Sequence, residues 1–253
     1  MTAASLALAV AMATAAGVVG CFAVMRRMTL ASDALSHVAL PGIGLALLAN
    51  VHPALGAAAA LGLGTLLVWA LEHKTRIATE TVIGVVFSAA LAAGSLLASG
   101  EELIDALLGK PATLSPIEVA LGISAAVAVS AFILWKRDAL VVSMVSPDIA
   151  RTAGIDVARL DLAFLLAFAA TVALGLRYLG VLLMGSLVII PAATAKYLAR
   201  GLPSMIAISV GVAVVSTVAG TLLAPRLHQP PGPIIIAVAA AFFFFGLLRP
   251  RRG

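Results

Sequence analysis

Charge is scarce in this chain. Of its 253 residues only 11% are Asp, Glu, Lys or Arg, whereas 62% are hydrophobic and the mean hydropathy is +1.16. An ordinary soluble domain, with about a quarter of its residues charged, is excluded. Cysteine is almost missing as well. Cys21 stands alone inside an apolar run, so there is neither a disulfide framework nor a thiolate metal cluster, and redox chemistry is not indicated. No Gly-x-x-x-x-Gly-Lys-Ser/Thr loop occurs. Gly109-Lys110 lacks both the upstream glycine and the following hydroxyl, so the chain has no nucleotide-binding loop of that kind. There is also no His-Glu-x-x-His, no Gly-x-Ser-x-Gly and no carboxylate pair within the apolar runs, which disfavours an intramembrane enzyme.

What the chain does have is long apolar segments. A helical span needs about 20 mostly apolar residues, and the sequence offers nine such stretches: Leu6–Met25, Ala31–Asn50, Pro53–Leu71, Thr81–Ser99, Ile117–Trp135, Leu160–Leu176, Tyr178–Leu198, Ser204–Leu223 and Pro233–Leu248. They predict an all-α, polytopic membrane protein with residues 1–253 forming one transmembrane domain. The first span has no basic region before it and Arg26-Arg27 after it, which predicts a retained span rather than a signal peptide. The net charge of +5 does not point to nucleic acid, because the basic residues are scattered between spans. If Arg26-Arg27 face the cytoplasm, alternation puts 13 of the 16 Lys and Arg on that side and leaves only Lys110, Arg177 and Arg226 outside. That asymmetry fits nine crossings.

Asp33 and His37 interrupt the second span. A carboxylate at the bilayer centre costs at least about 2.5–3.5 kcal/mol on insertion scales, so such a residue marks a functional site by default. His37 lies four residues beyond Asp33, and positions i and i+4 share one helix face. Carboxylate and imidazole together suit a divalent transition metal. A satisfied polar pair, with Asp33 capping the helix near the membrane surface, is the competing reading. Ten residues past Arg27, at about 1.5 Å each, put His37 roughly 15 Å deep, which is far for a cap. His52 and His228 at the outer mouth and His73 on the cytoplasmic side read as solvated. Small residues at Gly42-Ile43-Gly44, Gly56 to Gly64 and Ala89 to Gly94 permit close helix approach, within the subunit or at a dimer seam.

Two segments between spans carry further signals. Glu101–Leu108, followed by Gly109 and Pro111, predicts a short amphipathic outer helix, whose Glu101, Glu102 and Asp105 read as a solvated face or a cation-attracting one. Ser146-Pro147-Asp148 has the hydroxyl cap, first-position proline and first-turn acid of a helix start. Gly154 would end that helix. Pro191 breaks the backbone ladder of the seventh span, as a hinge or as a static kink.

Three segments together resemble one family: Arg26-Arg27-Met28 through Asp33-Ala34-Leu35-Ser36-His37 and Gly42; Ser146-Pro147-Asp148-Ile149-Ala150 to Gly154-Ile155; and, most specifically, the run Leu179 to Ala195 with Met184-Gly185-Ser186 and Ile190-Pro191-Ala192. With Pro231-Gly232-Pro233 they resemble the zinc/manganese/iron permeases of bacterial ABC importers over nearly the whole chain. The resemblance implies a multi-pass protein of the bacterial inner membrane with a fold like that of the cobalamin-type importers. It also implies a pathway for zinc, manganese or ferrous iron formed by two permease copies, with no permanently bound cofactor. The implied partners are a cytoplasmic ATP-binding subunit and an extracytoplasmic metal-binding protein. It carries a metal-pathway role onto Asp33 and His37. Residues 146–155, with Ser146, Pro147, Asp148, Ile149, Ala150 and Gly154, would be the helix that couples the permease to its ATPase. A proton-coupled secondary metal transporter is the alternative, and it would need no such helix.

Overall fold

The computed structural model describes residues 3–75, 77–97, 115–179 and 181–248. These residues form eleven helices and no strand: α1 Ala3–Met25, α2 Thr29–Leu48, α3 Pro53–Lys74, α4 Thr79–Leu97, α5 Pro116–Trp135, α6 Arg137–Val145, α7 Pro147–Thr152, α8 Val157–Leu179, α9 Val181–Leu198, α10 Leu202–Leu227 and α11 Pro231–Leu247. Six of them, α1, α3, α4, α5, α8 and α10, are long and apolar enough to cross a membrane. Shorter apolar stretches, His37–Leu48, Met184–Leu198 and Pro231–Leu247, lie in α2, α9 and α11. The predicted outer helix Glu101–Leu108, with Gly109, Lys110 and Pro111, lies outside the described residues.

Helix α1 is the hub. It is apolar on every face, the pattern of a helix with no exposed side, and most of its residues from Leu8 to Val24 are buried. Helices α5, α8, α9, α10 and α2 pack around it. Small residues make the close approaches possible. A side chain at Gly17 would press on the backbone of Ser209 and Val210 in α10, and one at Gly20 would strike the carbonyl of Val188 in α9. Without a hydrophobic drive inside lipid, such contacts and interhelical hydrogen bonds hold helices together. Here the Ser209 hydroxyl donates to the Gly17 carbonyl over 2.8 Å, and the Cys21 thiol lies 3.6 Å from the Met205 carbonyl.

Helices α3, α4 and α5 have the opposite character. Only 22–28% of their central windows are buried, and Leu63, Leu67, Val85, Leu96, Ile117 and Leu121 are exposed, as befits surfaces solvated by lipid rather than water. Several of these small residues pack within the chain. Gly42 of α2 crosses Gly56 of α3, Gly64 of α3 meets Val38, and Gly94 of α4 sits beside Leu40 and Pro41 of α2.

Sequence and structure differ mainly at helix ends. Helix α10 continues through Pro225 to Leu227 and stops where His228 turns left-handed, with φ +53°. Helix α5 starts on a capping box in which Ser115 Oγ accepts from the Glu118 N–H and Glu118 accepts from the Ser115 N–H. Residues 137–145, unassigned by the periodicity, form the separate short helix α6.

Candidate functional site

Asp33 and His37 both lie within α2, whose first residue is Thr29 and whose first turn contains no acid. Asp33 therefore does not cap the helix through its position, and its side chain lies outside those described. His37 is half-buried beside the buried residues Ala34, Leu35 and Val38. Its ring centroid is 5.5 Å from that of Phe87 in α4, at 59° between planes, and its Nδ1 is closed to solvent. Helices α3, α4, α8 and α9 surround α2. Among the described residues no three His, Cys, Asp or Glu side chains converge to enclose a metal ion.

The remaining histidines lie apart. His73 is exposed, with Nδ1 2.9 Å from the Trp69 carbonyl and its ring 4.9 Å from the indole. His52 is exposed just before α3, and His228 is the exposed left-handed cap of α10.

At the other candidate element the expected helix start is present atom by atom. Ser146 ends α6 and begins α7: its N–H donates to the Val142 carbonyl, while its Oγ accepts from the Ile149 N–H over 3.3 Å. Pro147 fills the first position, where a missing N–H costs nothing. Asp148 pairs with Arg151 over 3.0 Å in the open. The end is a Schellman turn, with Gly154 N–H to Arg151 O, Ile155 N–H to Ala150 O, and Gly154 at φ +79°. Ala150 is fully buried as the foot of this helix. Ile149 stands exposed on it at 60%, and Val145, the last residue of α6, at 79%. An apolar, capped knob of this kind is suited to seating in a protein groove.

A model of the ABC 3 transport family matches residues 1–249. The chain belongs to that family. As an ABC 3 protein it is 29% identical over 240 residues to the high-affinity zinc uptake system membrane protein ZnuB of Haemophilus influenzae, covering 92% of this chain and 91% of that one. It is 30% identical over 247 residues to the manganese transport system membrane protein MntC of Listeria monocytogenes, covering 94% and 86%. Among solved structures it superposes on PsaBC from Streptococcus pneumoniae, in complex with Fab, with a TM-score of 0.82 at 26% identity, over 96% of this chain and 89% of that one. The family resemblance drawn from Arg26–Gly42, Ser146–Ile155 and Leu179–Ala195 is thereby established.

Two residues of this ABC 3 chain escaped the sequence reading. Asp161, in the second turn of α8, receives Arg26 Nη2 at 2.6 Å, and Trp69 Nε1 of α3 donates to the Ala158 carbonyl at the start of α8 over 3.0 Å. The only sequence signal was an acid close to the end of an apolar run, and nothing in the sequence names its partner 135 positions away.

Proposed function

We propose that this chain is the membrane permease of an ATP-driven importer for a divalent first-row metal: zinc, manganese or ferrous iron. The observation that carries the proposal is end-to-end relatedness to zinc and manganese permeases, together with a carboxylate and an imidazole one turn apart in the apolar helix α2. The proton-coupled alternative is not favoured by these relatives.

In this reading the six long apolar helices and the three shorter ones make nine crossings of the bacterial inner membrane. The fold is of the cobalamin-importer type, and α6 and α7 lie in the cytoplasm. Two copies pair, so that two Asp33 carboxylates and two His37 imidazoles together supply nitrogen and oxygen ligands. An extracytoplasmic binding protein delivers the ion, which sheds water against these four groups and passes inward. The chain performs no covalent chemistry. ATP is hydrolysed on a separate cytoplasmic subunit that receives the α6–α7 corner, through Val145 of α6 and Ile149 of α7, and moves α7 as a rigid lever during alternating access. Pro191, inside α9, supplies bending where the backbone ladder is missing a bond.

The test is uptake of radioactive zinc and manganese into vesicles containing this chain, its ATPase and its binding protein. Uptake that requires ATP and is abolished by Asp33→Ala or His37→Ala, with ATPase docking intact, supports the proposal. Uptake driven by a proton gradient without the ATPase overturns it, and undiminished uptake in both variants removes Asp33 and His37 from the pathway.

A further inference from the structure

We propose that Arg26 and Asp161 form the strut that passes movement of α7 to the metal-bearing helix α2; the inference rests on the coupling role proposed above for α7. Arg26 opens the three-residue corner, Arg26 to Met28, between α1 and α2. Its N–H closes on the Phe22 carbonyl, Arg27 follows at φ +60°, and the Met28 N–H returns to the Ala23 carbonyl. The corner is therefore stiff, and Met28 is only 5% exposed beneath it. From this point the guanidinium reaches Asp161 at 2.6 Å and lies 4.5 Å above the Phe164 ring.

The pair is poor glue. Its two side chains are only 13% and 21% exposed, yet the Arg26 Nε is buried with no hydrogen-bond partner. Desolvating two charges and leaving a donor unmade opposes most of what the ion pair contributes, and the best-attested use of such pairs is to fix register or to switch. The elements it joins agree with that use. Asp161 sits about one turn into α8, whose start is connected to α7 through residues 153–156, and that connection is itself tied down by Gly154 and Ile155 N–H bonds and by Asp156 Oδ1 accepting from the Arg159 N–H.

A second tie acts on the preceding turn of α8. The Trp69 indole of α3 donates to the Ala158 carbonyl. Helices α1 and α3 are the chain neighbours of α2 on either side, so α8 grips both arms of the unit that carries Asp33 and His37. A displacement of α7 thus reaches α2 through two directional contacts in addition to the packing of α8 against α1, α2 and α3. Arg26 and Asp161 are positioning residues in this scheme, since neither needs to touch the ion.

The permease is reconstituted with its ATPase and binding protein in liposomes, and ATP hydrolysed per metal ion transported is measured beside metal affinity and ATPase retention. Asp161→Asn and Arg26→Gln are each expected to raise the ATP-to-metal ratio about tenfold, within the roughly 5–150-fold range typical of coupling between sites, with unchanged metal affinity and full ATPase retention. The double variant should be no worse than either single one, because both remove the same link. An unchanged ratio in the single variants, or effects that multiply in the double, overturns the strut. Should Asp161→Asn fail to assemble, Arg26→Gln decides, and an unchanged ratio in that variant overturns the inference. Failure of the α7 reading shows separately, as ATPase retention that survives Ile149→Asp.

Discussion

The crossing of α2 over α3 is set by two glycines, and a single methyl group tests it. A Cβ on Gly42 would fall on the carbonyl oxygen of Gly56 and the Ala60 side chain; a Cβ on Gly56 would fall on the Gly42 carbonyl and the Ala46 side chain. Both obstructions include backbone, which cannot rotate aside as a side chain can. Two effects compete in Gly42→Ala. Helix propensity favours alanine by about 1 kcal/mol, whereas overpacking costs about 1–3 kcal/mol, with backbone obstruction at the upper end. The expected net loss is about 2 kcal/mol. For a chain of this length each kcal/mol moves Tm by about 2–4 °C, so thermal unfolding in detergent should shift down by about 6 °C. Gly84→Ala is the control, because nothing lies within 4 Å of its added methyl; it should leave Tm unchanged or raise it. Gly56→Ala should match Gly42→Ala, and the double variant should lose little more than either, since the helices separate only once. The reasoning is refuted if Gly42→Ala unfolds at the temperature of Gly84→Ala, or if the two glycine effects add in full.

Other consequences concern the site and its lever. His37→Ala should abolish ATP-dependent uptake of zinc and manganese with no loss of expressed, ATPase-bound protein, measured by vesicle uptake beside co-purification. Ile149→Asp places a charge on the exposed knob of α7 and should release the ATPase in co-purification without changing Tm, because the side chain is 60% exposed in the permease alone. Gly154→Ala forces a side chain into φ +79° and should lower Tm by the equivalent of about 1–2 kcal/mol. It should also loosen the joint between α7 and α8, raising the ATP-to-metal ratio.

The amino-acid sequence by itself determined the fold class, because apolar runs of span length admit only helices in lipid, where every backbone N–H and carbonyl must be satisfied within its own segment. It also determined α7. Caps and left-handed glycine turns are local geometry, so Ser146, Pro147 and Gly154 announce that helix without help from the rest of the chain. The i, i+4 placement of Asp33 and His37 follows in the same way from helix period alone. The family was legible too, through the Leu179–Ala195 run and the two motifs before it.

Only the tertiary structure decided what those elements touch. Gly42 could have lined a seam between subunits or a crossing inside one, and it is the meeting with Gly56 that chose the second. His37 met Phe87, and α1, no more apolar in appearance than α5, became the hub because its small residues admit α9 and α10 at backbone contact. The Arg26–Asp161 pair spans 135 positions, and an apolar span with one acid near its end carries no record of which cation will face it. Local geometry is written in neighbouring residues, whereas partnership between helices depends on which surfaces fit closely enough to exclude lipid, and that is settled only when all of them pack at once.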